Sequence, residues 1–295
     1  MNVLSLFNGI GSIWLALDKA NIQVDNRYSS EIDKHSNKVN DYHYTDTIQL
    51  GCVKQVDGSR LKKIDLLVGG SPCQGFSYSG KKLNFEDPRS ALFWEFVRLL
   101  KETKPKYFLL ENVTMKKEWQ DIISESLGVE PILINSSLVS AQLRKRLYWT
   151  NIPNITLPED KDIVIGDILD NRDYSLNAGS IIGRRLDEFG KRKDYDKTIP
   201  LIQYIEVRKD NLKKSKCLTT VDKDNILTHL DIGRHPNAFE NKHLYRYFTL
   251  SECCRLQNIP EDYFYNLVSE SKGKKMLGNG WTIDVISHIL SKINS

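Results

Sequence analysis

The chain has 295 residues, with 42 Lys plus Arg against 38 Asp plus Glu and a formal net charge of +4, a length that accommodates one large domain or two smaller ones at roughly 150 residues per domain. Hydrophobic residues make up 40% and charged residues 27%, an ordinary globular balance that excludes a disordered chain. No run reaches the ~18 apolar residues of a membrane helix, and the Val3 to Leu17 run is broken by Asn8, Gly9 and Gly11 with no basic segment before it, so neither membrane insertion nor secretion is expected.

Val3 to Phe7 reads as an apolar strand entering the turn Asn8-Gly9-Ile10-Gly11, after which Ser12 is expected to cap a helix through about Ala20. Val24 to Ser30 is the second strand; it ends at Glu31 and Asp33 and leads into a polar helix. Ile64 to Val68 is a buried-strand run that stops at Gly69-Gly70-Ser71-Pro72. From Arg89 to Thr103 the residues Leu92, Phe93, Phe96, Val97, Leu99 and Leu100 share one broad helical face, and Lys104-Pro105 ends it. Tyr107 to Leu110 is the next strand, closing at Glu111-Asn112. This alternation predicts an α/β fold with a parallel, doubly wound sheet. Ligands of such sheets bind beyond the carboxyl ends of the strands, where the glycine turn, Glu31, the Gly70 to Cys73 turn and Glu111 all fall.

After about Asn151 the alternation stops. The pattern divides into a first domain over 1–150, a small lobe over 151–241 and a segment over 242–295 that returns to the first domain. From Arg184 to Lys216 there are 11 Lys plus Arg against 6 Asp plus Glu, which by itself suits a solvated face as well as a binding face. Thr249-Leu250-Ser251-Glu252 is a capping box, and helical periodicity returns from Trp281 to Leu290.

A strand, a glycine turn, a helix and then an acid about twenty residues on form the general nucleoside-binding pattern. Gly9 and Gly11 allow close backbone approach, and Glu31 is placed to hold two ribose hydroxyls. The third glycine of the nicotinamide fingerprint is Trp14, which argues against a pyrophosphate seated on that helix end. Cys73, flanked by Gly and Pro on a turn after a buried strand, suits an exposed nucleophile. The five cysteines lack the paired spacing of a zinc site, so no metal is expected and a reducing cytoplasm fits best. Cys217, Cys253 and Cys254 are assigned to packing.

Taken in order, Phe7-Asn8-Gly9-Ile10-Gly11, Pro72-Cys73-Gln74, Glu111-Asn112-Val113, Gln142-Leu143-Arg144-Lys145-Arg146, Arg255-Leu256-Gln257 with Ile259-Pro260, and Gly278-Asn279-Gly280-Trp281 resemble the ordered motifs of the cytosine carbon-5 DNA methyltransferase family. The resemblance spans nearly the whole chain outside the small lobe and looks most like the compact phage and bacterial enzymes. It implies a Rossmann-like methyltransferase sheet with a small target-recognition lobe, and S-adenosylmethionine as cofactor. Phe7, Asn8, Gly9, Ile10, Gly11, Glu31, Ile32, Cys52, Val53, Pro72, Asn279 and Trp281 would border or bind it. An Asp is common in the family where Cys52 stands, and a thiol is a weak acceptor, so looser adenine recognition follows.

Carbon 5 of cytosine is a poor nucleophile until something adds to carbon 6. By the resemblance Cys73 makes that attack, Glu111 stabilises the charge at ring nitrogen 3, Arg146 holds the base carbonyl and Arg144 supports the geometry of Cys73 and Glu111. The base must leave the duplex for this reaction. Double-stranded DNA is therefore the implied partner, met by Gln74, Ser77, Gln142, Arg184, Arg185, Lys213, Lys214 and Lys216, and a cognate restriction enzyme is a candidate second partner. Two readings remain beside it. One is an RNA substrate, as in the tRNA-methylating branch, although the Cys-Phe-Thr motif of that branch is absent; the other is a catalytically silent DNA-binding homologue. Base contacts depend on loop geometry, so the target site is not readable at this level, and neither is oligomeric state.

Overall fold

Seven strands form the central sheet of the computed structural model, which describes residues 1–71, 91–236 and 238–293. In chain order the strands are β1 (Asn2–Leu6), β2 (Asn26–Ser30), β3 (Thr47–Gln49), β4 (Leu66–Gly70), β5 (Tyr107–Val113), β6 (Ile132–Asn135), the two-residue β7 (Gln142–Leu143) and β8 (Lys145–Thr150). All but β7 lie side by side in the order β3-β2-β1-β4-β5-β8-β6. The first five run parallel, and β8 is antiparallel to both neighbours. The sheet is thus mainly parallel, not wholly so. The 136–144 connection between β6 and β8 is too short for the crossover that a parallel return requires. Pairing with β8 also extends β5 past Leu110 to Val113, so Glu111 lies inside the strand, opposite Tyr148.

Side chains of the strands alternate between two cores, as the period of two requires. Val3, Leu66, Val68 and Leu109 face a layer containing Ile13, Trp14 and Leu17 of α1 (Ser12–Lys19) and Val39 of α2 (Lys34–His43). Leu4, Leu6, Leu67 and Leu110 face Phe93 and Phe96 of α3 (Ala91–Thr103) and Trp119 and Ile123 of α4 (Lys117–Leu127). Each such fully buried side chain contributes about 1.5–3 kcal/mol.

Beyond β8 the chain passes through the short α5 (Ile165–Ile168) and builds a second, antiparallel sheet. Its strands are β9 (Asn177–Arg184), β10 (Ile202–Val207), β12 (Ile226–Thr228), β13 (Gly233–Pro236) and β14 (Tyr245–Tyr247); between them β11 (Ser215–Lys216) leaves to pair with β7. Three helices follow, α6 (Leu250–Leu256), α7 (Glu270–Asn279) and α8 (Ile283–Ser291). The expected capping box opens α6: Thr249 Oγ1 accepts from the Glu252 amide and Glu252 accepts from the Thr249 amide. Helix α8 packs in the same apolar layer as α1, and its Asp284 joins Lys19 of α1 to Lys161. No helix among the described residues is long and apolar enough to cross a membrane.

One local expectation is corrected. Ser12 does not cap α1; Gly11 stands at the N-cap position with φ 80° and ψ 24°, and no side chain caps the helix. A left-handed residue is needed to turn β1 sharply into α1, and Ser12 is buried within the helix. A Cβ at Gly11 would lie 2.6 Å from Asn40 Oδ1, an oxygen fixed by hydrogen bonds from Trp14 Nε1 (2.8 Å) and Asn8 Nδ2 (3.0 Å), whereas at Gly9, φ 57°, nothing lies within 4 Å. Gly11→Ala is expected to destabilise the fold by about 2 kcal/mol or more in urea melts, and Gly9→Ala by only ~1 kcal/mol from backbone strain.

Cys253 and Cys254 are 4% and 0% exposed, and burial pushes both thiols up to about 12 from an ordinary value near 9. A proton held more tightly in the folded state stabilises it fully below the unfolded pKa and is lost toward the folded one. Stability should fall as pH rises from about 9 toward 12, and the fall should be shallower in the double Ala variant when urea midpoints are followed against pH.

Candidate functional site

The carboxyl ends of β1, β2, β4 and β5 open into one cleft of roughly 500 Å³, closed on its far side by α7 and the Gly278 to Trp281 segment. At one end stands the glycine turn. Glu31 Oε2 accepts from the Gly9 amide at 2.9 Å, and its Oε1 accepts from the amides of Ile32 and Asp33, both at 2.8 Å. The carboxylate is thereby locked against the turn, with acceptor capacity left for a ligand hydroxyl. Phe7 lines the same end in a left-handed conformation, φ 56°, a strain of about 1 kcal/mol that local structure alone does not repay. Ser5 Oγ and Asn8 Oδ1 are buried, line the cleft and have no hydrogen-bond partner among the described residues. Buried polar atoms in this state are uncommon in folded proteins.

Glu111 and Arg146 form the other end. Arg146 Nε lies 2.9 Å from Glu111 Oε1, with the side chains 14% and 10% exposed. Burial opposes the charge on Arg146, and Glu111 followed by Cys217 outweighs it, so the guanidinium is held in its charged form. Beneath the pair, burial and then Glu111 push the Tyr148 phenol upward, which keeps it neutral. Asn112, 1% exposed, donates from Nδ2 to Ser71 Oγ at 2.9 Å and so ties the ends of β4 and β5 together.

Arg144 is 2% exposed, and its hydrogen bonds run to the lobe and the C-terminal segment, not to Glu111. Its Nη1 donates to Cys217 Sγ (2.9 Å), the Leu218 carbonyl (3.3 Å) and the Gly278 carbonyl (3.4 Å), and its Nη2 to the Gly280 carbonyl (2.6 Å). Only glycine fits at 278, because a Cβ there would lie 2.4 Å from the Thr219 carbonyl. Cys217 was assigned to packing, and the structure corrects this. Its sulfur accepts from both Arg144 and, at 3.4 Å, Arg146 Nη2. Burial opposes its ionisation, but the two guanidinium groups prevail and hold the thiol below its ordinary range. No sequence spacing signals this, since 71 residues separate Cys217 from Arg146.

The cleft gathers Phe7, Asn8, Gly9, Ile10, Glu31, Glu111, Arg144, Arg146, Asn279 and Trp281. Gly11, Ile32, Cys52 and Val53 do not line it. Gly11 is spent on the helix cap, Ile32 points to solvent at 77% exposure, Cys52 begins a short turn of helix and Val53 belongs to the α3 core. Trp14, at the missing third glycine, is wholly buried. Pro72, Cys73, Gln74 and Ser77 lie outside the described residues. Thr220, Lys272 and Lys275 also line the cleft; in the sequence the two lysines look like solvated charge on a helix, and Thr220 carries no signal of its own.

Two candidate DNA contacts are engaged within the protein itself. Gln142 is 0% exposed and is consumed by the Leu256 carbonyl (2.5 Å), Gln257 Oε1 (3.0 Å) and the Leu218 amide (3.3 Å). Lys214 turns inward to the carbonyls of Ser137 and Ser140. Arg184 bonds the Gly183 carbonyl and Arg185 the Ile199 carbonyl, each half-buried; Lys213 is exposed and Lys216 half-buried. Among the described residues no group of three or more His, Cys, Asp or Glu is placed to hold a metal ion.

The sequence matches the family model described as C-5 cytosine-specific DNA methylase over residues 1–295. The orphan methyltransferase M.Rho11sI of Bacillus phage rho11s is 32% identical over 245 residues, covering 71% of this chain and 49% of that protein. The type II methyltransferase M.FnuDI of Fusobacterium nucleatum is 26% identical over 327 residues, covering 99% of this chain and 93% of that protein. The chain thus spans about half the length of the rho11s relative, and the match to the M.SPRI methyltransferase of Bacillus phage SPR covers 40% of that protein. Among solved structures, the Entamoeba histolytica methyltransferase EhMeth superposes with a TM-score of 0.72 at 18% identity, covering 99% of this chain and 97% of that one. The Schizosaccharomyces (S. pombe) Dnmt2 methyltransferase gives 0.62 at 22% identity, covering 99% and 97%. At these identities the two structures speak for the fold.

Arg144→Met removes a buried charge and leaves the Leu218, Gly278 and Gly280 carbonyls without their donor. A loss of about 3–5 kcal/mol in urea melts is expected, with hydrogen exchange accelerating first at 215–220 and 277–281.

Proposed function

The chain belongs to the C-5 cytosine-specific DNA methylase family, and from that premise we propose that it transfers a methyl group from S-adenosylmethionine to carbon 5 of a cytosine extruded from duplex DNA. The observation that carries this reading is the pairing, in one cleft, of a backbone-locked carboxylate at a glycine turn with a buried Glu111–Arg146 pair.

The lining suits the cofactor. Glu31 has acceptor capacity for ribose hydroxyls, Ser5 Oγ and Asn8 Oδ1 are unpartnered polar atoms, and Phe7, Ile10 and Trp281 provide apolar walls. Bound there, S-adenosylmethionine supplies an electrophilic methyl group on a sulfonium sulfur. Cys73, as thiolate, adds to carbon 6 of the cytosine. Glu111 hydrogen-bonds ring nitrogen 3 and Arg146 the base carbonyl, so the electron pair released by the addition is drawn into the ring and carbon 5 becomes nucleophilic. Once carbon 5 has been methylated, its proton leaves and Cys73 is expelled, which restores the aromatic ring. Cys217, anchored to both arginines, holds the Arg146 guanidinium toward Glu111 from the lobe side.

Relatives at this similarity are named orphan and type II methyltransferases, and structural neighbours include Dnmt2 proteins. Labelled methyl transfer should therefore be measured on duplex DNA and on tRNA, followed by nucleoside analysis, with Cys73→Ser beside the wild type. The expected product is 5-methylcytosine in DNA from the wild type alone. Glu111→Gln should lower turnover about 10²–10⁴-fold with DNA binding retained. Binding of duplex by both proteins without product from either would overturn the reading, and label in tRNA alone would move the substrate to RNA.

A further inference from the structure

In the second sheet one buried acid holds two arginines. Glu206 on β10 has a side chain only 7% exposed; its Oε2 accepts from Arg208 Nε at 2.6 Å and its Oε1 from Arg234 Nε at 3.1 Å. Glu206 and Arg234 stand directly opposite each other in the β10–β13 register, and Arg208 follows two residues after Glu206. Burial opposes ionisation of Glu206, yet the hydrogen bonds from Arg208 and then Arg234 prevail and hold it below the usual carboxylate range.

This arrangement exceeds what stability asks for. One carboxylate neutralises one guanidinium, so the second leaves a net positive charge beside a buried acid. Both arginines spend only Nε on Glu206. Among the described residues neither Nη1 nor Nη2 of either side chain has a hydrogen-bond acceptor, and the side chains are 57% and 70% exposed. The Arg234 guanidinium is further held 5.6 Å from the Tyr204 ring. The result is two planar donor forks fixed at their stems and open at their tips. A lysine meets an acceptor as a point charge, whereas a fixed fork of two parallel N–H groups matches a pair of adjacent acceptors, such as two phosphate oxygens or O6 and N7 of guanine.

The position is also informative. Lys216, half-buried, loses proton affinity first to burial and then to Arg208, with Arg184 also contributing, so these cations crowd one another. The next residue is Cys217, which receives the cleft arginines Arg144 and Arg146. The forks thus belong to the same lobe whose strand β11 leads directly into the residue that meets the cleft arginines.

We propose that Arg208 and Arg234, oriented by Glu206, form a guanine-reading element, donating from Nη1 and Nη2 to O6 and N7 of guanine in the major groove beside the extruded cytosine. The inference rests on duplex DNA being the substrate. It requires the recognised site to contain at least one guanine read by this pair, since guanine alone offers two acceptors at that spacing in the groove. Glu206 is a positioning residue, acting through the two arginines.

The test uses binding, so that it does not depend on methyl transfer. The full-length wild type, Arg208→Lys, Arg234→Lys and Glu206→Gln would each select bound duplexes from a randomised pool. Guanines of the wild-type site would then be replaced singly by 7-deazaguanine, which keeps base pairing and removes N7. The expected result is a guanine whose replacement weakens wild-type binding about 5–150-fold and whose selection is lost in at least one lysine variant, with no further loss on the 7-deaza duplex. Glu206→Gln should blur the same position. The lysine variants keep the charge beside Glu206, and an unchanged melting transition verifies their fold. If they keep the wild-type preference at every position, or lose affinity uniformly across sequences with no change of preference, the arginines do not read a base and the proposal fails. Failure of the wild type to bind duplex DNA overturns the proposal together with the substrate reading; duplex binding with intact selection in the variants overturns the proposal alone.

Discussion

A buried guanidinium must find acceptors, and Arg144 finds them in segments remote from its own strand. At 2% exposure it draws the carbonyls of Leu218, Gly278 and Gly280 and the sulfur of Cys217 onto the end of the central sheet. Two residues earlier, Gln142 continues the tie through Gln257 to Thr282. The returning edge of the lobe and the closing segment of the chain are thus fastened to one point. The cleft has walls from three parts of the sequence because this polar hub leaves them nowhere else to pair.

Around that hub the two ends of the cleft are held by opposite means. Glu31 is restrained by three backbone amides and shares the cleft with Ser5 and Asn8, an arrangement that presents acceptors. Glu111 is restrained by Arg146 and backed by a neutral, buried Tyr148, an arrangement that presents a carboxyl beside a cation. A reaction that moves an electrophilic group onto an electron-poor ring needs both in a shared, largely desolvated space. Cys217 joins the two arginines from the lobe side, so the lobe's seating on the sheet and the geometry of the Glu111–Arg146 pair are mechanically linked.

The small lobe spends its charge in distinct ways. Lys214 ends on carbonyls of the first domain, and Arg255 of α6 reaches into the lobe to Asp170 and the Ile168 carbonyl, so both serve attachment. Arg208 and Arg234 instead converge on a single acid and keep their terminal nitrogens outward. Net charge along a stretch does not distinguish these uses; the direction of each side chain does.

Much of the architecture was legible in the order of residues. Strand and helix periodicities, the glycine turn, the capping box at Thr249 and the acid that follows β2 are local properties, fixed by backbone sterics and hydrophobic spacing. The antiparallel β8 was not, because strand direction depends on how a short connection closes against neighbours far away. Gly11, not Ser12, took the cap because the turn into α1 demanded a left-handed residue. Gln142 and Lys214 read as DNA contacts, and the structure ties the buried Gln142 and the half-buried Lys214 to carbonyls of the protein itself, while Cys217 read as packing and proved to be an acceptor for two arginines. Sequence by itself determined which chemical groups the protein owns and which elements carry them. Only the tertiary structure decided which of those groups face each other, since a hydrogen bond across 71 or 136 residues leaves no periodic trace in the chain.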